Sequence, residues 1–275
     1  MGHNQNSGLQ AAFVLFDRSF MMPIAILSAL ADEQDGLVHL LQDMKQIAHA
    51  GRTFWRGKLH GTEVVCVLSG IGKVAAATTA VALIERFGAQ AMVFTGVAGG
   101  LGSDVHVGDV VVARDYVQHD MDASPLFPRY EVPGYGRQRF ACDPALTDKL
   151  AQAVQHCVRH QAAEWTATLG LPAPHMHEGL IVSGDRFVSG ADESHQLRQG
   201  LEQAGLQPLA VEMEGAAIAQ VCADYGLPFA AMRSISDRAD DCAHVDFPKF
   251  VQSIASRYAQ VVIEDLCKRL ATQEK

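Results

Sequence analysis

Residues 210–240 read AVEMEGAAIAQVCADYGLPFAAMRSISDRAD, and the way acids follow short apolar runs in this stretch decides the fold. Residues 209–211 are apolar, Glu212 and Glu214 flank Met213, and Ala217, Ile218, Val221, Cys222 and Tyr225 then recur at helical spacing. The pattern predicts a strand running into a helix at Glu214, with Gly226 ending the helix and Pro228 blocking its continuation. Residues 229–232 predict a second buried strand that stops at Arg233-Ser234-Ile235-Ser236-Asp237. Polar residues at the carboxyl ends of buried strands are where α/β sheets keep their chemistry. Taken singly, a first-turn glutamate complements a helix dipole and Asp237 caps a turn. Two sets of acids leaving apolar strands that should lie side by side imply a ligand between them.

The chain has 275 residues, 48% of them apolar, enough for a sizeable core. Its 22 basic and 31 acidic side chains leave a formal charge of -9. That balance argues against a nucleic-acid or anionic-membrane partner, which would need a basic face, and points to a small ligand. Six cysteines, at 66, 142, 157, 222, 242 and 267, show no CxxC spacing. They read as free thiols packed as small hydrophobes, in a reducing and hence cytoplasmic compartment. No run reaches the length of a membrane span. In residues 1–21 the apolar part is too short and wrongly flanked for a secretory signal, so this segment reads as a disordered leader outside the fold.

Outward from the opening stretch, residues 23–27 predict a first strand. The turn after it carries Asp32, Glu33 and Asp35 and leads into a predicted helix through Leu37, Leu40, Leu41 and Met44. Such a turn repels phosphate, whereas phosphate-binding turns offer glycines or a cation. Residues 53–68 alternate around His60-Gly61 as a hairpin. Gly70-Ile71-Gly72-Lys73-Val74-Ala75 matches G-x-G-x-x-A ahead of an alanine-rich helix, a pattern that can hold a dinucleotide pyrophosphate. The acid that should follow to hold a ribose is missing, so close helix-to-sheet packing is the favoured use of these glycines. Gly96 to Gly100 form a second cluster at a strand end, where absent side chains let a flat ligand approach the backbone.

Residues 107–112 predict a strand leading to His119, Asp120 and Asp122. With no second histidine at ligand spacing, this set reads as a structural His–Asp hydrogen bond and not as a metal site. Residues 123–139, with Pro125, Pro128, Pro133 and the aromatics Phe127, Tyr130 and Tyr135, predict a long loop serving as pocket wall or subunit contact. Asp143 caps a predicted helix, residues 179–182 predict a strand ending at Ser183-Gly184-Asp185, and residues 250–270 predict a closing helix. Strands alternating with helices throughout predict one α/β domain over residues 22–275, a three-layer fold whose central mixed, mostly parallel sheet is flanked by helices.

In this order, IAILSALADE, SGIGKVAAA, FTGVAGGL, VGDVVVA, GLIVSGDRFV, AVEMEGAAIA and RSISDRAD resemble the purine nucleoside phosphorylase and nucleosidase superfamily, and within it the methylthioadenosine/S-adenosylhomocysteine nucleosidases. The resemblance covers about residues 22–270. It implies a nucleoside phosphorylase-like fold, usually assembled as a homodimer, that hydrolyses the bond between adenine and ribose without a metal or organic cofactor. By the same resemblance, Asp237 is the general acid at adenine N7 and Glu33 deprotonates the attacking water. Glu214 grips the ribose hydroxyls, Met213 packs against the sugar, and Phe187 and the backbone of Val188 meet the adenine. Arg233 lies near the water and Phe247 against the alkylthio group, with Ala98, Gly99 and Ser236 completing the substrate-binding set. Val97 stands where related nucleosidases often carry a serine. Related enzymes act on deoxyadenosine or futalosine, and a phosphorylase, a silent nucleoside-binding protein and a dinucleotide oxidoreductase are the rival readings.

The chemistry required agrees with these roles. Adenine is a poor leaving group as an anion, so the purine must be protonated as the C–N bond lengthens and an oxocarbenium-like sugar develops. A carboxylate near the sugar stabilises that charge, and a second one activates water on the opposite face.

Overall fold

The computed structural model describes residues 23–34, 36–240 and 243–272. The predicted leader, Met22, Asp35, Asp241, Cys242 and residues 273–275 lie outside the described residues. The elements in order are β1 (Ile24–Ser28), α1 (Ala31–Gln34), β2 (Gln42–His49), β3 (Arg52–Leu59), β4 (Thr62–Leu68), α2 (Lys73–Phe87), β5 (Ala91–Gly100), β6 (Val110–Gln118) and β7 (Arg139–Ala141). There follow α3 (Pro144–Cys157), α4 (Ala163–Thr168), β8 (Met176–Ser183), α5 (Ala191–Gln203), β9 (Pro208–Glu212), α6 (Gly215–Tyr225), β10 (Phe229–Asp237), α7 (Ala243–Phe250) and α8 (Ser256–Ala271).

All ten strands belong to one sheet in the order β10-β6-β8-β9-β5-β1-β4-β3-β2, with β7 beside β6. The sheet is mixed: five ladders are parallel and five antiparallel. A further pairing of β10 with β5 closes β10, β6, β8, β9 and β5 into a ring, from which β1 to β4 extend as a wing. Two apolar layers cover the sheet, one gathering α2 and α6 residues such as Leu83 and Ile218, the other α3 and α8 residues such as Leu150 and Val262. Fully burying one such side chain stabilises the fold by roughly 1.5–3 kcal/mol.

The long strand β5 changes neighbours along its length. Ala91 to Phe94 lie against β1, Met92 to Gly99 against β10, and Gly99 and Gly100 against β9. Between the end of β1 and the start of β9 one edge of β5 is therefore open. Such a switch of neighbours at strand carboxyl ends is where α/β sheets leave a crevice.

Three expectations change here. The predicted helix through Leu37 and Met44 is a single 3-10 turn at Val38–Leu40 followed by strand β2. Its apolar spacing arises because Leu37 and Leu41 pack inward from the connection, while β2 is mostly exposed and offers no alternating pattern to read. The strand expected to stop at Arg233 runs on through Ser234 and Ser236 to Asp237. Strands β9 and β10 are not side by side, since β5 lies between them.

Glycine spacing, on the other hand, follows local geometry. Gly226 ends α6 in the left-handed conformation at φ 62°. At Gly215 a Cβ would stand 2.3 Å from the buried Tyr116 ring, so only glycine lets α6 start there. Gly215→Ala should cost about 1–3 kcal/mol through overpacking. A urea melt of this variant that coincides with wild type would show the ring has room to move.

Candidate active site

The open edge of β5 leads into a cavity of about 590 Å³. Its walls come from the turn after β1 (Ala29, Leu30, Glu33), the start of α2 (Ile71), the glycine-rich half of β5 (Val97, Ala98, Gly99), Phe187, the β9–α6 junction (Val211 to Glu214), the end of β10 (Ser236, Asp237), and Phe247 and Pro248 of α7. Four carboxylates, and no cationic side chain, line it among the described residues.

Each acid is aimed by backbone. Beyond Phe94, β5 has lost β1 as a partner, and the N–H of Val97 donates instead to Glu33 Oε1 at 3.0 Å. Glu33 Oε2 accepts from Ala29 N and Leu30 N, both at 2.8 Å, which folds the acidic turn back on itself. At Gly96 a Cβ would sit 2.7 Å from Glu33 Oε1 and 3.0 Å from Arg233 Nη1, so the glycine makes room for both. Burial raises the Glu33 pKa above its ordinary value, with Arg233 and the three amides pulling the other way.

Asp237 closes β10 beyond a β-bulge between Ile235 and Asp237 that re-aims the strand end. Its Oδ1 accepts from Ala239 N and its Oδ2 from Ser236 Oγ, both at 2.8 Å. A Cβ on Gly99 would come within 3.0 Å of Asp237 Oδ1, so the flat backbone at this point of β5 gives the acid its space.

Glu214 occupies the capping position of α6 and is held by Gly72 N at 2.8 Å, across from the start of α2. Burial first and the neighbouring Glu212 second push its pKa up to about 8, against the opposing pull of the Gly72 amide and Arg233. Glu212 itself is the anchor of the junction. It accepts from Gly215 N at 2.9 Å, Glu214 N at 3.2 Å and Arg233 Nη2 at 2.7 Å, and the Ser183 hydroxyl also donates to it.

The structure thus brings Glu33, Asp237, Glu214, Met213, Phe187, Phe247, Ala98, Gly99 and Ser236 together around one cavity. Arg233 and Val188 are not among its lining residues. Arg233 is fully buried behind the wall, its guanidinium 3.6 Å from the Phe94 ring centre and paired with Glu212. Val188 packs into the apolar cluster of Val182, Leu201 and Val211. Phe187 and Phe247 meet edge to face at 5.6 Å.

Sequence reasoning gave Glu212 no role. The available signal was Arg233 itself, because a cation inside a strand buried on both faces demands a buried counter-charge. The loop at residues 123–139 contributes nothing to the cavity in this chain; its Tyr130 and Val132 turn inward to the core, leaving its tip at the surface.

The expected His119–Asp hydrogen bond is replaced by a different arrangement. Asp120 takes Lys73 Nζ at 2.5 Å, a stronger charged partner, and Asp122 takes Ser124. Among the described residues no hydrogen-bond partner reaches the buried His119 Nε2, and burial lowers the His119 pKa. No group of three or more His, Cys, Asp or Glu among the described residues could hold a metal ion. Gly70 and Gly72 adopt φ of 77° and 96°, so backbone conformation, and not close packing alone, calls for them.

A profile of the Phosphorylase superfamily matches residues 23–267. The chain belongs to that superfamily. It is 37% identical over 252 residues to the 5'-methylthioadenosine/S-adenosylhomocysteine nucleosidase of Chromohalobacter salexigens, covering 92% of this chain and 99% of the relative. The nucleosidase of the same name from Haemophilus ducreyi is 36% identical over 242 residues, 88% of this chain and 96% of its own. Among solved structures, that of the Neisseria meningitidis nucleosidase in complex with methylthio-immucillin-A superposes with a TM-score of 0.78 at 32% identity, covering 90% of this chain and 100% of the other. The futalosine hydrolase of Helicobacter pylori superposes at 0.74 with 32% identity, over 89% and 97%.

The raised Glu214 pKa has a consequence for stability. A carboxyl whose folded pKa lies above its ordinary 4.5 binds its proton more tightly in the folded state. Its contribution is therefore complete below about pH 4.5 and is lost as pH rises through about 8. Glu33 acts in the same direction. Between pH 5 and 8 the stability of the empty protein should fall with rising pH, by up to about 1.4 kcal/mol per pH unit for each proton involved. In Glu214→Gln the slope should be shallower by one proton; denaturant unfolding across this range that gives equal slopes would count against the assignment.

Proposed function

We propose that the chain hydrolyses the N-glycosidic bond of 5'-methylthioadenosine and S-adenosylhomocysteine, releasing adenine. The observation that carries this reading is that Glu33 and Asp237, which reach the site from unrelated elements, line one cavity together with Glu214 and a largely apolar wall. The water oxygen bonds to C1' of the sugar and gives a proton to Glu33, while the C1'–N9 bond breaks. Its electron pair passes to the purine, which takes a proton from Asp237 at N7. Glu214, held against the sugar, supports the developing positive charge and accepts from the ribose hydroxyls.

Ile71, Met213, Phe187, Phe247 and Pro248 supply the apolar side, which suits the thioether that both nucleosides carry at the 5' position. Phosphate as nucleophile is disfavoured, because the described lining offers four carboxylates and no cation to hold it.

A homodimer fits the surface at the cavity mouth. Ile71, Val74 and Phe187 are 58%, 79% and 44% exposed around Lys73, which is bonded to Asp120 and Asp185. Leu126, at 84% exposure, and Phe127 stand on the loop just beyond Asp120. Sizeable exposed apolar patches mark interaction sites, and a second copy seated here would extend the loop at residues 123–139 toward the neighbour's cavity. No described helix is long and apolar enough to cross a membrane. The five described cysteines are all buried free thiols, which suits a reducing cytoplasm, and the acidic surface suits a small-molecule substrate better than nucleic acid.

Adenine should appear from methylthioadenosine in phosphate-free buffer, followed by chromatography, and Asp237→Asn should lower kcat by about 10²–10⁴-fold. A strict requirement for phosphate would reassign the nucleophile, and equal rates in both proteins would remove Asp237 as the acid. Sedimentation should give a dimer for wild type, and Leu126→Glu should weaken it and raise KM; a wild-type monomer with full activity would sink the shared-wall reading.

A further inference from the structure

Helix α2 begins without a capping side chain of its own, although the first N–H groups of any helix need partners. Two successive amides find them on other segments. Gly72 N donates to Glu214 Oε1 at 2.8 Å, and Lys73 N donates to Asp185 Oδ1 at 2.8 Å. The Lys73 ammonium donates to Asp120 Oδ1 at 2.5 Å and Gln118 Oε1 at 3.2 Å, and stands 3.8 Å from Asp185 Oδ2. Asp120 Oδ2 accepts from Asp185 N at 2.9 Å, which closes the set into a triangle. Gln118 is tied to Gln220 of α6 at 2.7 Å. None of Lys73, Asp120 and Asp185 lines the cavity.

We propose that Asp185 and Lys73, clamped by Asp120, are positioning residues for the reaction: they fix the first turn of α2 so that its positive end and the Gly72 N–H meet Glu214 as a carboxylate. The inference rests on the nucleosidase reading, in which Glu214 serves the sugar. Adjacent amides of one helical turn move together, so a displacement of Lys73 N from Asp185 displaces Gly72 N from Glu214. Gly72 itself has φ 96°, and a Cβ there would stand 3.3 Å from Asp185 Oδ1, so the turn tolerates no substitute side chain.

The charges facing Glu214 explain why the amide matters. Glu212 from β9 and Glu33 from α1 oppose its ionisation, and Arg233 from β10 favours it, although its guanidinium is bonded to Glu212. Tyr116 from β6 is buried alongside, its own ionisation resisted by burial. The hydrogen bond the described residues donate to the Glu214 carboxylate is the one from Gly72. Helix starts favour nearby anions, and here that preference is directed at a buried acid by a clamp lying outside the cavity.

The test is the pH dependence of kcat/KM for adenine release. Asp185→Ala should lower kcat/KM about three- to tenfold at neutral pH and move the acid limb to higher pH, because a less favoured carboxylate keeps its proton longer. Asp185→Asn, which retains an acceptor oxygen for Lys73 N, should recover part of both effects. Asp185 is half exposed, so its thermal melt should stay close to wild type. An unmoved pH profile in folded Asp185→Ala overturns the proposal, as does a loss of rate that merely tracks loss of folded protein. No adenine from wild type sinks the nucleosidase reading and this inference with it; normal wild-type turnover with an unmoved Asp185→Ala profile sinks the inference alone.

Discussion

One buried guanidinium holds the site together. Arg233, in the middle of β10, pairs at 2.7 Å with Glu212 at the end of β9, and its plane lies over Phe94 of β5. Such a pair seldom adds net stability, because desolvating two charges offsets most of their attraction, but breaking it by removing one partner costs about 3–5 kcal/mol. Its effect here reaches further than stability. With its carboxylate fixed by Arg233, Glu212 accepts the N–H groups of Glu214 and Gly215 and the Ser183 hydroxyl, so it sets where α6 starts. The same cation lowers the ionisation cost of Glu33. A single positive charge therefore organises three acids that would otherwise repel one another in a dry interior.

The second ingredient is backbone left over by strand changes. Because β1 stops and β9 has not begun, Val97 offers its amide to a side chain in place of a neighbouring strand. Because α2 lacks a cap of its own, Gly72 and Lys73 offer theirs to acids from elsewhere. The glycines of β5 complete the arrangement by removing side chains at the points where Glu33 and Asp237 come closest to the strand. Topology thus produces the donors, and the acids are placed where buried N–H groups require acceptors.

What could be read in advance follows from this division. Acids at the ends of apolar runs are visible in a sequence because helix dipoles and turn caps explain Glu214 and Asp237 singly but not their recurrence after two buried strands, and the helix after Glu214 is announced by its spacing and by Gly226. The ring closure of β10 onto β5 leaves no mark in sequence, since pairing partners are chosen by register across more than a hundred residues, and this is why β9 and β10 were expected as neighbours. Strand β2 was hidden because it is an exposed, polar edge, while Leu37 and Leu41 mimic a helical face. Glu212 and Lys73 were legible only as members of motifs. Their partners, Arg233 for one and Asp120 with Asp185 for the other, are brought near by the fold and not by sequence spacing.

The same geometry sets how tightly the acids hold their protons. Burial makes Glu33 and Glu214 hold protons more tightly than a free side chain does, although three backbone amides donate to Glu33 and one to Glu214. Any further donor brought to these carboxylates favours the ionised form. In the reaction proposed above, ribose hydroxyls and a water would be such donors, coupling occupancy of the cavity to ionisation of the acids. A site made equally comfortable without its ligand, by replacing these acids with neutral groups, would gain stability at the expense of that coupling.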